Sequence, residues 1–302
     1  MAATTTAGAF DSEEQARSAI EDGKAKNVIL LIGDGMGDSE MTLARDYTVG
    51  ADGRLNLDKF PLTGAYTTYA VHADGTPDYV TDSAASGTGW ATGHKTVNGR
   101  ISKTPGTDKA VPTVLELAQK NGYATGSVTT SELTDATPAV LASHATDRSC
   151  QGPADMAKCP ADTIAAGGPG SIAEQSVNHK VDVLLGGGKA RFDQKVTDGA
   201  FKGMTVTEQA QKLGYQVVTD DHGHTSQIVP LEATPPGLSS TLVTDEGQQL
   251  KVNYSTNTPG QSQEHTGTQV RIAAQGPEAY RVLGVTNQTD LFTTVREALR
   301  LR

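Results

Sequence analysis

Several short stretches hold residue types that do chemistry when they meet. The segment Asn27-Val28-Ile29-Leu30-Leu31-Ile32-Gly33-Asp34-Gly35-Met36-Gly37-Asp38 ends an apolar β-branched run at one carboxylate set between glycines. Such a run is expected to be a buried parallel strand, and open α/β sheets bind ligands at that carboxyl edge. Asp34 is therefore expected on the ligand side of a sheet, although a single such motif reads equally as a solvated turn. Ser83 falls near a helix start within the stretch Tyr79 to Gly93, which small residues dominate. A helix amino terminus carries positive partial charge, which favours a phosphate or a developing alkoxide. No G-x-S-x-G elbow surrounds this serine, so a histidine-activated triad fits poorly and a metal is the better candidate activator.

Two further stretches offer metal-ligand types. Thr219-Asp220-Asp221-His222-Gly223-His224 follows an apolar segment and supplies carboxylate and imidazole together, the donors of a zinc site. His265 stands alone in Gln263-Glu264-His265-Thr266-Gly267. Arg148 could clamp two phosphate oxygens, or form a surface ion pair. His72, His94, His144 and His179 have no partner motif and are expected on the surface or on helix faces.

The elements that must position these groups alternate. Helices are expected over Glu13 to Glu21, from Ser39, over Thr113 to Asn121 with Pro112 at the first helical position, from Thr137 to about Ala145, and over Thr293 to Arg302. Ser171-x-x-Glu174 and Thr205-x-x-Glu208 are capping boxes. Strands are expected over Asn27 to Ile32, Gly64 to Val71, Ala124 to Thr130, Val181 to Gly186, Tyr215 to Thr219 and Tyr280 to Leu291. Residues 231–264 read as a surface excursion with room for a short hairpin. Alternation of this kind predicts an α/β fold, a three-layer α/β/α sandwich around a mainly parallel central sheet, in one domain.

Bulk properties exclude some partners. The chain has 302 residues and a formal charge of −10 at pH 7, which argues against a nucleic-acid partner. No apolar run reaches membrane-spanning length, and residues 1–10 lack the basic and apolar parts of a secretory signal, so a soluble chain is expected, without such a signal. Cys150 and Cys159, the two cysteines, either form a disulfide in an oxidising compartment or are plain thiols.

Taken together, I-G-D-G-M-G-D (32–38), T-D-S-A-A-S (81–86), D-A-T-P-A (135–139), D-R-S-C (147–150), D-H-G-H (221–224) and E-H-T-G (264–267) resemble, in type and order, the motifs of bacterial-type alkaline phosphatases. The resemblance implies a phosphomonoesterase using Zn²⁺ and Mg²⁺, a homodimer, periplasmic or secreted, with a small disulfide loop at the two cysteines. Residues 27–302 would be the phosphatase-like domain and 1–26 an N-terminal arm or helix. Ser83 would become phosphoserine and Arg148 would grip the phosphate. Asp34, Asp221 and His222 would hold the zinc at Ser83, with Asp34 also reaching the magnesium, and His265 would bind a second zinc. Thr137 would be a magnesium ligand, supported by Asp135 from one layer further out, and His224 is a spare imidazole able to take a metal.

One departure stands out. The family's magnesium-binding Glu and the Asp…His pair that shares the second zinc have no counterpart pattern in these 302 residues. The expectation is an internal deletion whose ends join near Asp220, with catalysis weakened. Two other outcomes are a catalytically inactive phosphate- or metal-binding remnant, and a sulfatase or phosphodiesterase of the same superfamily.

Overall fold

The computed structural model describes residues 12–218, 239–253 and 265–302. In chain order it contains α1 (Ser12–Ser18), α2 (Asp38–Thr48), β1 (Leu62–Thr67), β2 (Ala70–Val71), β3 (Pro77–Asp78), α3 (Ser83–Thr92), α4 (Val114–Lys120), β4 (Gly126–Glu132) and α5 (Ala136–Ala142). There follow α6 (Ile172–Asn178), β5 (Val183–Gly187), α7 (Lys189–Phe192), α8 (Val206–Lys212), β6 (Ser239–Val243), β7 (Gln249–Asn253), β8 (Val270–Ala274), β9 (Gly284–Asn287) and α9 (Asp290–Leu299). The fold is α/β, as the alternation predicts. None of the described helices is long and apolar enough to cross a membrane.

Local signals place the helices. Ser171 accepts from Glu174 N while Glu174 returns a carboxylate to Ser171 N, and Thr205 and Glu208 do the same for α8. At α4 the cap is Thr113, paired reciprocally with Glu116, so Pro112 lies outside the helix rather than at its first position. Gly93, with φ 77°, closes α3 in the left-handed region, where glycine carries no Cβ penalty.

The strands pair across long sequence distances. β1 lies antiparallel to β8 and parallel to β9, in register Leu62↔Ala274 and Gly64↔Gly284. β4 and β5 form a parallel pair, Gly126↔Val183. β6 and β7 make a hairpin inside the expected excursion. Three expectations fail. Asn27 to Ile32 forms no strand, and Ile29 and Leu31 are 84% and 83% exposed. Tyr215 to Val218 is likewise irregular, and Thr219 lies outside the described residues. The segment from Tyr280 begins as a 3-10 turn, so its strand is confined to β9. The first two share a cause: an apolar run becomes a strand only when neighbours take up its backbone hydrogen bonds, and none of the described strands pairs with either.

The core sits where α3, α5 and α6 meet. Ala84, Trp90 and Ala91 of α3 bury against Ala136, Ala139 and Val140 of α5, with Ile101, Ala145 and Ile172. The approach is close: a Cβ at Gly87 would lie 2.9 Å from a Val140 methyl. This contact sets the two helix amino termini near each other.

Candidate functional site

Asp82, not a serine, caps α3: its carboxylate accepts from Ala85 N at 2.9 Å. Ser83 is then the first helical residue, partly exposed, in the positive end of the helix. Asp82 is itself fixed, since its backbone N donates to Asn98 Oδ1 at 2.8 Å and its Oδ2 accepts from Gly99 N at 3.0 Å.

Arg148 reaches across from the loop after α5. Its Nη1 donates to Ser83 Oγ at 3.0 Å and to Asp82 Oδ2 at 3.3 Å, and its Nη2 donates to Asp135 Oδ1 at 2.7 Å. Burial works against the guanidinium charge, but the carboxylates of Asp135 and Asp82 outweigh it and raise the pKa further. The loop behind it is well anchored. Arg148 N donates to Gly99 O at 2.7 Å. Cys150 and Cys159 form a disulfide. Lys103 pairs with Asp162, both nearly buried, and Asp162 Oδ2 accepts from Thr146 N at 2.8 Å.

A second pair forms beside it. Asp135 caps α5, and two residues on Thr137 Oγ1 donates to Asp34 Oδ2 at 2.6 Å. Asp34 is exposed, in a tight turn through Gly35 at φ 74°. The structure thus gathers two hydrogen-bonded sets, Arg148 with Ser83, Asp82 and Asp135, and Thr137 with Asp34, at the start of α5, although their positions span 34 to 148.

Asp221, His222 and His224 lie outside the described residues. His265 is exposed. Its loop packs against the segment before α3, where a Cβ at Gly267 would lie 2.4 Å from the Tyr79 carbonyl oxygen. Among the described residues no group of three His, Cys, Asp or Glu atoms gathers around Asp34, Asp135 or His265.

Sequence reasoning missed Asp82, whose signal was available: an Asp directly before a helix-starting Ser in T-D-S is a standard N-cap. It also misplaced His144 and His179. Both are partly buried: His144 Nδ1 meets Ser102 O and its Nε2 lies 3.0 Å from Glu116 Oε1, while His179 Nδ1 meets Ala142 O and its Nε2 lies 3.4 Å from the same oxygen. His72 and His94 are exposed, as expected.

An α/β scaffold that gathers a helix-terminal serine, a guanidinium and several carboxylates is equipped to handle a tetrahedral oxyanion such as phosphate. Comparison with known proteins narrows this. A profile of the alkaline phosphatase family matches residues 25–228 and 237–301. Streptomycin-6-phosphate phosphatase of Streptomyces griseus is 42% identical over 92% of this chain and 91% of its own length. Alkaline phosphatase of Escherichia coli K12 is 36% identical over 97% of this chain and 90% of its own. The solved alkaline phosphatase of the Antarctic bacterium TAB5 superposes with a TM-score of 0.65 at 18% identity, covering 93% of this chain and all of that one, a likeness of fold. The chain belongs to the alkaline phosphatase family.

Proposed function

We propose that the chain hydrolyses phosphate monoesters through a phosphoserine on Ser83. The observation that carries this is the 3.0 Å contact of Arg148 Nη1 with Ser83 Oγ at the first turn of α3. A phosphate held by the guanidinium fork would present its phosphorus to that hydroxyl. Ser83 Oγ forms a bond to phosphorus, the bond from phosphorus to the ester oxygen breaks, and the serine proton leaves with the alcohol. Water then releases phosphate and restores the hydroxyl. Asp82 and Asp135 hold Arg148 in place before substrate arrives, which limits the ordering needed on binding.

The residues fit the family's metals in part. Asp34 carboxylate and Thr137 hydroxyl are adjacent oxygen donors, suited to Mg²⁺, with Asp135 supporting them. Asp34, Asp221 and His222 would hold Zn²⁺ at Ser83, His265 would meet a second zinc, and His224 is a further imidazole donor. Bound zinc supplies a lowered hydroxyl pKa and charge stabilisation. His265 alone falls short of the three protein ligands that a catalytic zinc takes, so slow turnover is the expected state of this chain.

An internal deletion near Asp220 accounts for that shortfall. The match to the S. griseus relative runs over 409 positions against a chain of 302 residues, and the apolar run at Ile29 and Leu31 is left uncovered. Residues 27–302 are read as one domain after an N-terminal arm, and the chain as a homodimer by family habit. The disulfide favours a periplasmic or secreted location.

The test is p-nitrophenyl phosphate hydrolysis at alkaline pH with added Zn²⁺ and Mg²⁺, beside Ser83→Ala. Streptomycin 6-phosphate, named for the S. griseus relative, and a sulfate ester complete the panel. Monoester turnover that vanishes in Ser83→Ala supports the proposal. Equal rates in both proteins would remove Ser83 from the reaction. Phosphate binding without turnover would mark an inactive remnant, and faster sulfate ester cleavage a sulfatase.

A further inference from the structure

Three side chains from three separate segments converge in a cleft of about 320 Å³ that none of the phosphate-site residues lines. Glu116 lies on α4, His144 on the loop after α5 and His179 at the end of α6. Their ligand atoms all lie within 4.8 Å of one another. His144 Nε2 is 3.0 Å from Glu116 Oε1, and His179 Nε2 is 3.4 Å from the same oxygen.

The orientation of both rings is set from behind. His144 Nδ1 lies 2.8 Å from Ser102 O, and His179 Nδ1 lies 2.6 Å from Ala142 O. A carbonyl only accepts, so each Nδ1 carries the proton and donates it. With Nδ1 so engaged, each Nε2 faces Glu116 Oε1 either as a lone pair, when the ring is neutral, or as an N–H donor, when the ring is protonated. Two imidazole lone pairs and a carboxylate oxygen facing one another repel unless something positive sits among them. Protons can meet the two contacts only by charging both rings, which sets two cations side by side, whereas one divalent cation satisfies all three groups with both rings neutral. An imidazole anchored through Nδ1–H to a backbone carbonyl is also the usual arrangement of a metal-ligating histidine.

Spacing and mounting suit zinc. Tetrahedral zinc with bonds near 2.0–2.1 Å separates its ligand atoms by about 3.3 Å, close to the two measured separations of 3.0 and 3.4 Å. Glu116 is held still because its other oxygen accepts from Thr113 N at 2.8 Å in the α4 capping box. Ser102, whose carbonyl accepts from His144 Nδ1, is buried with φ 46°, and Lys180, directly after His179, has φ 51°. Backbone held in the left-handed region by non-glycine residues is the kind of strain that specific positioning maintains.

We propose that Glu116, His144 and His179 form a Zn²⁺ site distinct from the phosphate site, with three protein ligands and a fourth position open to the cleft. A bound ion would tie α4 to the end of α6 and to the backbone four residues before Arg148.

The experiment is a calorimetric titration with Zn²⁺ alone on chelator-stripped, dialysed protein, comparing wild type, His179→Gln, His144→Gln and Asp34→Asn. Circular dichroism and melting in chelator establish that each variant folds. The expected result is one zinc equivalent, and its share of the zinc-induced rise in Tm, that persists in Asp34→Asn. The same equivalent should weaken on the order of 100-fold in both histidine variants. Two independent histidine variants guard against one of them misfolding. Zinc stoichiometry and affinity unchanged in both folded histidine variants would overturn the site. So would loss of every zinc equivalent in Asp34→Asn, because the ion would then belong to the phosphate site.

Discussion

Arg148 stands between two helix starts: its Nη1 donates to Ser83 Oγ at 3.0 Å in the first turn of α3, and its Nη2 donates to Asp135 Oδ1 at 2.7 Å at the cap of α5. The position of the guanidinium is thus set by the α3–α5 contact that forms the core. Removing Ser83 or Arg148 should have separable effects. Ser83→Ala is expected to abolish turnover while phosphate still binds. Arg148→Ala removes charge-assisted bonds worth roughly 1.5–3 kcal/mol each, so kcat/KM should fall about 100-fold, and inhibition by inorganic phosphate should weaken with it. Steady-state kinetics with phosphate as a competitive inhibitor separates the two. Equal phosphate inhibition in wild type and Arg148→Ala would remove Arg148 from the anion site.

The bond from Thr137 Oγ1 to Asp34 Oδ2, 2.6 Å long, joins residues that sequence places 103 positions apart. If both are oxygen donors to one hard cation, Thr137→Val, which keeps the shape and deletes the hydroxyl, should raise the Mg²⁺ concentration for half-maximal activity about 10-fold or more. KM for the monoester should stay near its wild-type value. The check is a Mg²⁺ titration of initial rates at fixed zinc, and coincident titration curves for the two proteins would count against a magnesium role.

The loop that carries Arg148 also has a structural weak point. Lys103 and Asp162 are 7% and 3% exposed and pair with each other behind Arg148. Losing one partner strands a charge, which costs roughly 3–5 kcal/mol when a buried pair is broken. Lys103→Met should therefore lower stability by about that much in urea unfolding. Lys103→Met with Asp162→Asn should recover a good part of it, since the amide oxygen can still accept from Thr146 N. A single variant as stable as wild type would show that water reaches Asp162.

What the sequence made legible was local. Capping boxes at Ser171/Glu174 and Thr205/Glu208, and a serine opening a helix at Ser83, are written within four residues of themselves. Asn27 to Ile32 has the composition of a buried strand, but pairing depends on neighbours that arrive from elsewhere in the chain, and the described structure provides none. The same reasoning separates the two candidate sites. Asp34, Ser83 and Arg148 sit in motifs with family counterparts, so their meeting could be anticipated. Glu116, His144 and His179 are scattered over three segments with no shared spacing. Only the packing of α4, α5 and α6 brings them together.

Lys95 gives stability a pH dependence of unusual sign. Its Nζ donates to Tyr69 O at 2.7 Å and lies 3.7 Å from the Tyr69 ring centre. Burial pushes its pKa down to about 8 from the ordinary 10.5, with Asp290 pulling the other way. The unfolded chain keeps the ordinary value, so between about pH 8 and 10.5 the unfolded state binds more protons than the folded one. Folding therefore carries the full penalty of the charged amine below pH 8, and that penalty is relieved as pH rises across the window. Lys95→Met has no proton to lose. Its stability relative to wild type should accordingly be highest near pH 7 and should fall steadily toward pH 10. Urea unfolding of both proteins at pH 7, 8.5 and 10 measures the difference directly, and subtraction cancels other groups that titrate in the same range. A difference that stays flat with pH would mean that Lys95 keeps its ordinary proton affinity in the folded chain.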